Sequence, residues 1–243
     1  MNDIKVAVQK YLNKKRYSKF SLKAVLFDMD GVLYDSMPYH AQSWTKVMQA
    51  HGFNMTVEDA YLHEGRIGND TINVISRQDG KSINEEEKKQ IYQEKTEIFS
   101  SYSDVLPMKG SLELLNKVTN DGLFAMLVTG SGQPTLLNHL NYNFPNIFIR
   151  ERVVSSLDVK KGKPDPEPYL TALEKGRLTP YEAIVVENAP LGIESAQAAG
   201  LFVIAANTGP LPDSVLINAG ANILFPSIEA LCNEWNSIYN CLK

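Results

Sequence analysis

Short, largely apolar runs separated by helix-spaced stretches recur along most of this chain. Residues 23–27, 123–128, 152–155, 183–186 and 201–205 lack the alternation of a half-exposed sheet, which predicts strands buried on both faces. Between them, 111–120, 134–141, 166–175 and 191–199 carry apolar residues at helical spacing, and Gly122, Gly176 and Gly200 stand where those helices would end. Regular alternation of strand and helix predicts an α/β fold, a Rossmann-like, doubly wound parallel sheet. One stretch breaks the alternation. Residues 37–101 show helical spacing only, over 39–51, 70–77 and 85–100, between turn-rich edges at 35–38 and 100–107. The pattern therefore predicts a helical cap (37–101) inserted into a core made of 21–36 and 102–243, with the two edges as hinges. Ahead of the core, Ile4, Val8, Tyr11 and Leu12 recur at helical spacing, so residues 1–20 are expected to be a helical extension able to dock on the body.

Composition adds limits. The chain has 243 residues, 44% of them hydrophobic and 21% charged, which suits a folded domain with a sizeable core and excludes disorder as the main state. Charge-free stretches are broken by Gly, Pro and Asn, so no membrane span is expected. Two cysteines and no leader-like start predict a reducing, cytoplasmic setting. Net charge is −4, but the first 27 residues carry +6 and the rest −10. The basic segment is short and reads as a solvated helix face, so no nucleic-acid partner is expected.

In an open parallel sheet ligands lie beyond the carboxyl ends of the strands, and four such ends hold chemistry. They are Asp28-Met-Asp30-Gly31, Thr129-Gly-Ser131-Gly132, Gly162-Lys163-Pro-Asp165 and Glu187-Asn188. Two aspartates one residue apart reach one pocket only if the chain turns at Gly31, and their repulsion then calls for a cation. Oxygen donors from Asp28, Glu187 and Asn188 suit a hard ion such as Mg²⁺, and no Cys or His cluster points to zinc. Phosphate-loop, dinucleotide, serine-hydrolase and zinc-peptidase signatures are absent.

These four motifs in order, from about residue 23 to the C-terminus, resemble the haloacid dehalogenase superfamily, in particular its β-phosphoglucomutase-like branch with a helical cap. The resemblance implies Asp28 as a nucleophile forming an aspartyl-phosphate. It makes Asp30 the general acid and base, its backbone carbonyl facing Mg²⁺. Thr129 and Lys163 would stabilise the transferring phosphoryl group, with Ser131 as a further phosphate contact and His40 near the hinge.

Two departures bear on substrate. The fourth motif reads Glu187-Asn188 where Glu-Asp is usual, and Gly68 stands where the mutase pattern has a phosphate-binding Arg. The cap loop offers His63-Glu64-Gly65-Arg66 instead, so Glu64 is expected to reach Mg²⁺ from the cap. Arg66 and Lys95 are candidate phosphate contacts, and a cap carboxylate favours a small, anionic leaving group. In this the chain is similar to the inorganic pyrophosphatases of the superfamily found in Bacteroides. The expected activity is Mg²⁺-dependent hydrolysis of pyrophosphate or another small phosphate. The alternatives are a β-phosphoglucomutase, or a non-catalytic binding protein that uses the basic arm. Trp44, Phe53, Tyr92 and Phe99 are expected as cap core, and His51, His63 and His139 have no supporting context.

Overall fold

A computed structural model describes residues 2–102, 105–132 and 134–243. Ser103 and Asp104, within the second expected hinge, lie outside the described residues. Six parallel strands form one sheet: β1 (Ala24–Phe27), β2 (Phe124–Val128), β3 (Val153–Val154), β4 (Ala183–Glu187), β5 (Phe202–Ala206) and β6 (Ile223–Phe225), in the order β3-β2-β1-β4-β5-β6. The first five coincide with the apolar runs to within a residue or two. The sixth, only three half-buried residues long, was not legible as a run. Successive side chains point to opposite faces, and the core divides accordingly. Val25, Phe27, Leu127, Ile184, Val186 and Ile204 belong to one apolar cluster, while Leu26, Met126, Val128, Val185 and Val203 belong to another.

Helix α1 (Asn2–Lys15) buries Ile4, Val8, Tyr11 and Leu12 in the first cluster, where the Tyr11 ring stacks on Phe20 at 5.4 Å and meets Phe202 edge-on. Its lysines face water. Between β1 and helix α6 (Ser111–Asn120) the chain forms α2 (Met37–Ala50), α3 (Val57–Leu62), α4 (Gly68–Gln78) and α5 (Glu85–Ser100). These four share a third apolar cluster that includes Val47, Met48, Phe53, Ile72, Ile75 and Ile91. Phe99, expected there, packs instead in the first cluster with the sheet. The third cluster also takes Leu211, from the loop after β5, so the helical layer is keyed to the body at that point. Helices α7 (Pro134–Asn143), α8 (Glu167–Gly176), α9 (Pro190–Ala198), α10 (Asp213–Ala219) and α11 (Ile228–Leu242) complete the layers; α3, α10 and α11 were not foreseen. No helix among the described residues is long and apolar enough to cross a membrane.

Candidate active site

Strand order reverses direction at β1, whose neighbours are β2 and β4, and the ends of β1, β2 and β4, with Asp28, Thr129 and Glu187, gather just beyond this point. Lys163, expected at a strand end, comes instead from the loop between β3, which ends at Val154, and α8. After Phe27 the chain makes one tight turn. The N–H groups of Leu33 and Tyr34 both donate to the Met29 carbonyl, and Gly31 N–H donates to Tyr34. Gly31 adopts φ +77°, and the Asn188 side chain lies so close over it that a Cβ would collide. This turn brings Asp28 and Asp30, one residue apart, to the wall of the same cavity, which measures about 60 Å³ and is also lined by Glu64, Arg66, Lys95, Thr129 and Ser131.

Lys163 is buried between two carboxylates. Its ammonium donates to Asp28 Oδ1 at 2.5 Å, to Glu187 Oε1 at 2.6 Å and to the Val128 carbonyl at 3.2 Å. Burial alone would drive its pKa down, but the charges of Asp28 and Glu187 outweigh this and hold it well above the ordinary lysine value. Burial raises Asp28 above the usual carboxylate range, against the pull of Lys163 and helped by the charges of Glu187 and Asp30. Glu187 was expected as a metal ligand. Its carboxylate instead accepts from Lys163 and Tyr169 on Oε1 and from the N–H groups of Asn188 and Ala189 on Oε2, so its oxygens are already engaged as the partner of Lys163. Gly192 is obligatory here, because a Cβ would overlap Glu187 Oε1.

Asp30 sits at the end of a relay. Its Oδ1 accepts from the Ser36 hydroxyl at 2.6 Å and faces His40 Nε2 at 3.1 Å, while His40 Nδ1 lies 2.7 Å from Lys95 Nζ. Burial pushes Asp30 up, but His40, Ser36 and Lys95 outweigh it and leave the carboxyl below its ordinary value. Lys95 itself is fully enclosed, which lowers its pKa to about 7, and its ammonium lies over the Trp44 and Phe99 rings at 5.3 and 5.0 Å. Ser36 was missed by sequence reasoning, since a serine in a turn-rich hinge carries no signal of its own.

The cap loop closes the other side. Glu64 is buried, accepts from Asn188 Nδ2 at 2.9 Å, and is held well above the ordinary glutamate range by burial and by the charge of Asp28. Among the described residues, no hydrogen-bond partner reaches the buried Asn188 Oδ1, His63 Nδ1 or Arg66 Nε. Thr129 Oγ1 accepts from Ser131 N–H at 2.9 Å. Trp44 and Tyr92, expected as cap core, border the cap cluster and also wall the cavity, as does His63, which had no supporting context. Two glycines let cap and body touch: a Cβ on Gly65 (φ +83°) would come within 2.8 Å of Lys163 Cδ, and one on Gly130 would collide with the Gly65 carbonyl. Gly130→Ala is accordingly expected to fold but to hold the cap loop off the body. Its kcat/KM should fall by about 10–100-fold, the scale of an ångström-level misplacement, at nearly unchanged melting temperature.

Comparison with known proteins gives the family. Residues 25–206 match the family model of the haloacid dehalogenase-like hydrolases. A phosphorylated carbohydrates phosphatase from Thermotoga maritima is 32% identical over 222 residues, covering 86% of this chain and 97% of that protein. The β-phosphoglucomutase of Bacillus subtilis is 26% identical, covering 88% and 96%. A solved structure from Bacteroides vulgatus, provisionally named a β-phosphoglucomutase, superposes with a TM-score of 0.96 at 52% identity over 100% of this chain and 99% of that one. The chain belongs to the haloacid dehalogenase-like hydrolases. Within them it is an enzyme close to the phosphatases and β-phosphoglucomutase-like proteins.

Proposed function

We propose that this enzyme is a Mg²⁺-dependent phosphohydrolase that cleaves inorganic pyrophosphate, or another compact phosphate, through a phosphoaspartate at Asp28. The observation that carries the reading is Glu64: a buried cap carboxylate, bonded to Asn188 and raised by burial and by the charge of Asp28, on the wall of the cavity that Asp28 and Asp30 also line.

The residues fit a divalent cation. Asn188 Oδ1 is a buried oxygen without a partner among the described residues, and burial raises both Asp28 and Glu64, Glu64 further through the charge of Asp28, toward the neutral form, in which a carboxyl cannot attack phosphorus. Among the described residues no three His, Cys, Asp or Glu side chains are gathered for a metal. The proposed donors are therefore two carboxylates, Asp28 and Glu64, with the Asn188 amide oxygen and the Asp30 backbone carbonyl, an all-oxygen set. Mg²⁺ bound there would hold Asp28 ionised and offset the charge of the phosphoryl oxygens.

The remaining roles fall to the chain. An Asp28 oxygen forms a bond to phosphorus while the bond to the leaving oxygen breaks and its electron pair leaves with that oxygen. Lys163, Thr129 and Ser131 stabilise the equatorial oxygens. In the second step the oxygen of a water bonds to phosphorus while the bond from Asp28 to phosphorus breaks, its electron pair returning to Asp28 as the carboxylate, and Asp30 takes the proton of that water. The relay through His40 holds Asp30 ionised before substrate arrives, which favours a leaving group that departs without a proton. A phosphate does so far more readily than a sugar hydroxyl. Arg66, His63 and Lys95 are placed to meet its charge.

Phosphate release measured with Mg²⁺ on pyrophosphate and on β-glucose 1-phosphate tests the reading. Release from pyrophosphate is expected, whereas isomerisation of the sugar phosphate without net release would replace hydrolase by mutase. Glu64→Gln should lower pyrophosphate turnover and raise the Mg²⁺ requirement by about 10–100-fold; unchanged kinetics would remove Glu64 from the site.

A further inference from the structure

Tyr169, on the first turn of α8, is fully buried, and its hydroxyl donates to Glu187 Oε1 at 3.0 Å. That oxygen also accepts from Lys163 at 2.6 Å, while Glu187 Oε2 is fixed by two backbone N–H groups. All three protons of the Lys163 ammonium are engaged, the two shortest bonds going to Asp28 and Glu187 at nearly equal length. The ammonium is thus balanced between two carboxylates, and one of the balancing oxygens is shared with a phenol. A phenylalanine would fill the same volume, and its ring would keep the ammonium 5.3 Å from its centre. The hydroxyl therefore contributes its bond to Glu187 and nothing to packing.

We propose that Tyr169 is a positioning residue for phosphoryl transfer, its hydroxyl setting how far Lys163 can lean from Glu187 toward the phosphoryl group. The inference rests on the reading of Asp28 as the attacking group. As an Asp28 oxygen bonds to phosphorus, its negative charge passes to the phosphoryl oxygens, and Glu187 becomes the only full carboxylate charge left beside Lys163. An unshared Oε1 would then draw the ammonium back from the oxygens whose charge is growing. Tyr169, anchored on a helix, satisfies part of that oxygen with a donor that does not move. The benefit is larger in the transition state than in the resting enzyme.

The test is Tyr169→Phe in the full chain with Mg²⁺, comparing binding of orthovanadate, which expands to five-coordination when attacked, with binding of orthophosphate, both by calorimetry. Vanadate affinity and kcat are expected to fall together by about fivefold, about 1 kcal/mol, the part of this carboxylate-bound hydrogen bond that counts only in the five-coordinate state, while phosphate affinity and KM stay within about twofold. Unchanged vanadate affinity, or equal losses for vanadate and phosphate, would overturn the proposal, since a purely structural role would weaken both alike. Because both affinities are read without turnover, a vanadate-selective loss in a protein that releases no phosphate would sink the hydrolase reading and leave the role of Tyr169 standing.

Discussion

Asp28→Asn should be without measurable turnover, a loss of at least about 10⁴-fold, because removing a nucleophile leaves only the binding and electrostatic contributions of the site. Phosphate release and intact-mass detection of a beryllium fluoride adduct check it together, and neither should be seen. The same substitution is expected to hold or raise the melting temperature. Asp28 is pushed up by burial, so its ionised form is a cost to the metal-free fold, and a neutral amide removes that cost. Residual activity within about 100-fold of the parent would rule out Asp28 as the attacking group, since no other group in the site would then need to be replaced.

Lys163→Met is expected to damage stability and chemistry at once. It leaves Asp28 and Glu187, both buried, without the ammonium that now lies 2.5 and 2.6 Å from them. Breaking a buried ion pair from one side costs about 3–5 kcal/mol. The sign of its pH dependence follows. Asp28 is already raised by burial, and with the opposing pull of Lys163 gone its carboxyl binds a proton still more tightly in the folded protein than in the unfolded one. The penalty therefore grows as pH rises through the folded pKa of Asp28 and shrinks in acid. Denaturant unfolding at several pH values reads this, and a pH-independent loss would contradict it. Turnover should fall by about 10²–10³-fold, the scale for one preorganised charge on a developing oxyanion. A variant with wild-type stability would show that the two carboxylates are not held by Lys163.

The site residues were legible to different degrees, and the reasons are physical. Asp28, Thr129 and Glu187 end or follow buried strands, and a polar group after an apolar run is conspicuous because it interrupts burial, whereas Lys163 stands in the loop between β3 and α8 and was legible only through its motif. Glu64 stood out only through the departures around it, namely the neutral Asn188 and the missing Arg at Gly68. Tyr169 and Ser36 gave no signal, since a tyrosine on a helix and a serine in a hinge are ordinary choices. Their hydroxyls matter through bonds to Glu187, 18 residues away, and to Asp30, six away. The pattern that makes Glu187 an expected metal ligand does not show the donors that reach it in the fold. Counting oxygen ligands along a sequence does not show which lone pairs are already taken.

The same division holds for the fold. Local pattern was enough for five strands, for the helical character of the inserted segment and for the apolar face of α1, because burial on two faces, helical periodicity and amphipathicity are written in neighbouring residues. It was not enough for β6, three half-buried residues between polar neighbours, whose strand state depends on pairing with β5. Nor could it show that the Gly65 carbonyl lies against Gly130, that Leu211 keys the helical layer to the body, or that Asn188 covers Gly31. Those contacts join segments far apart in the chain, and only the closed three-dimensional packing of sheet and helices decides which of the many possible meetings occurs.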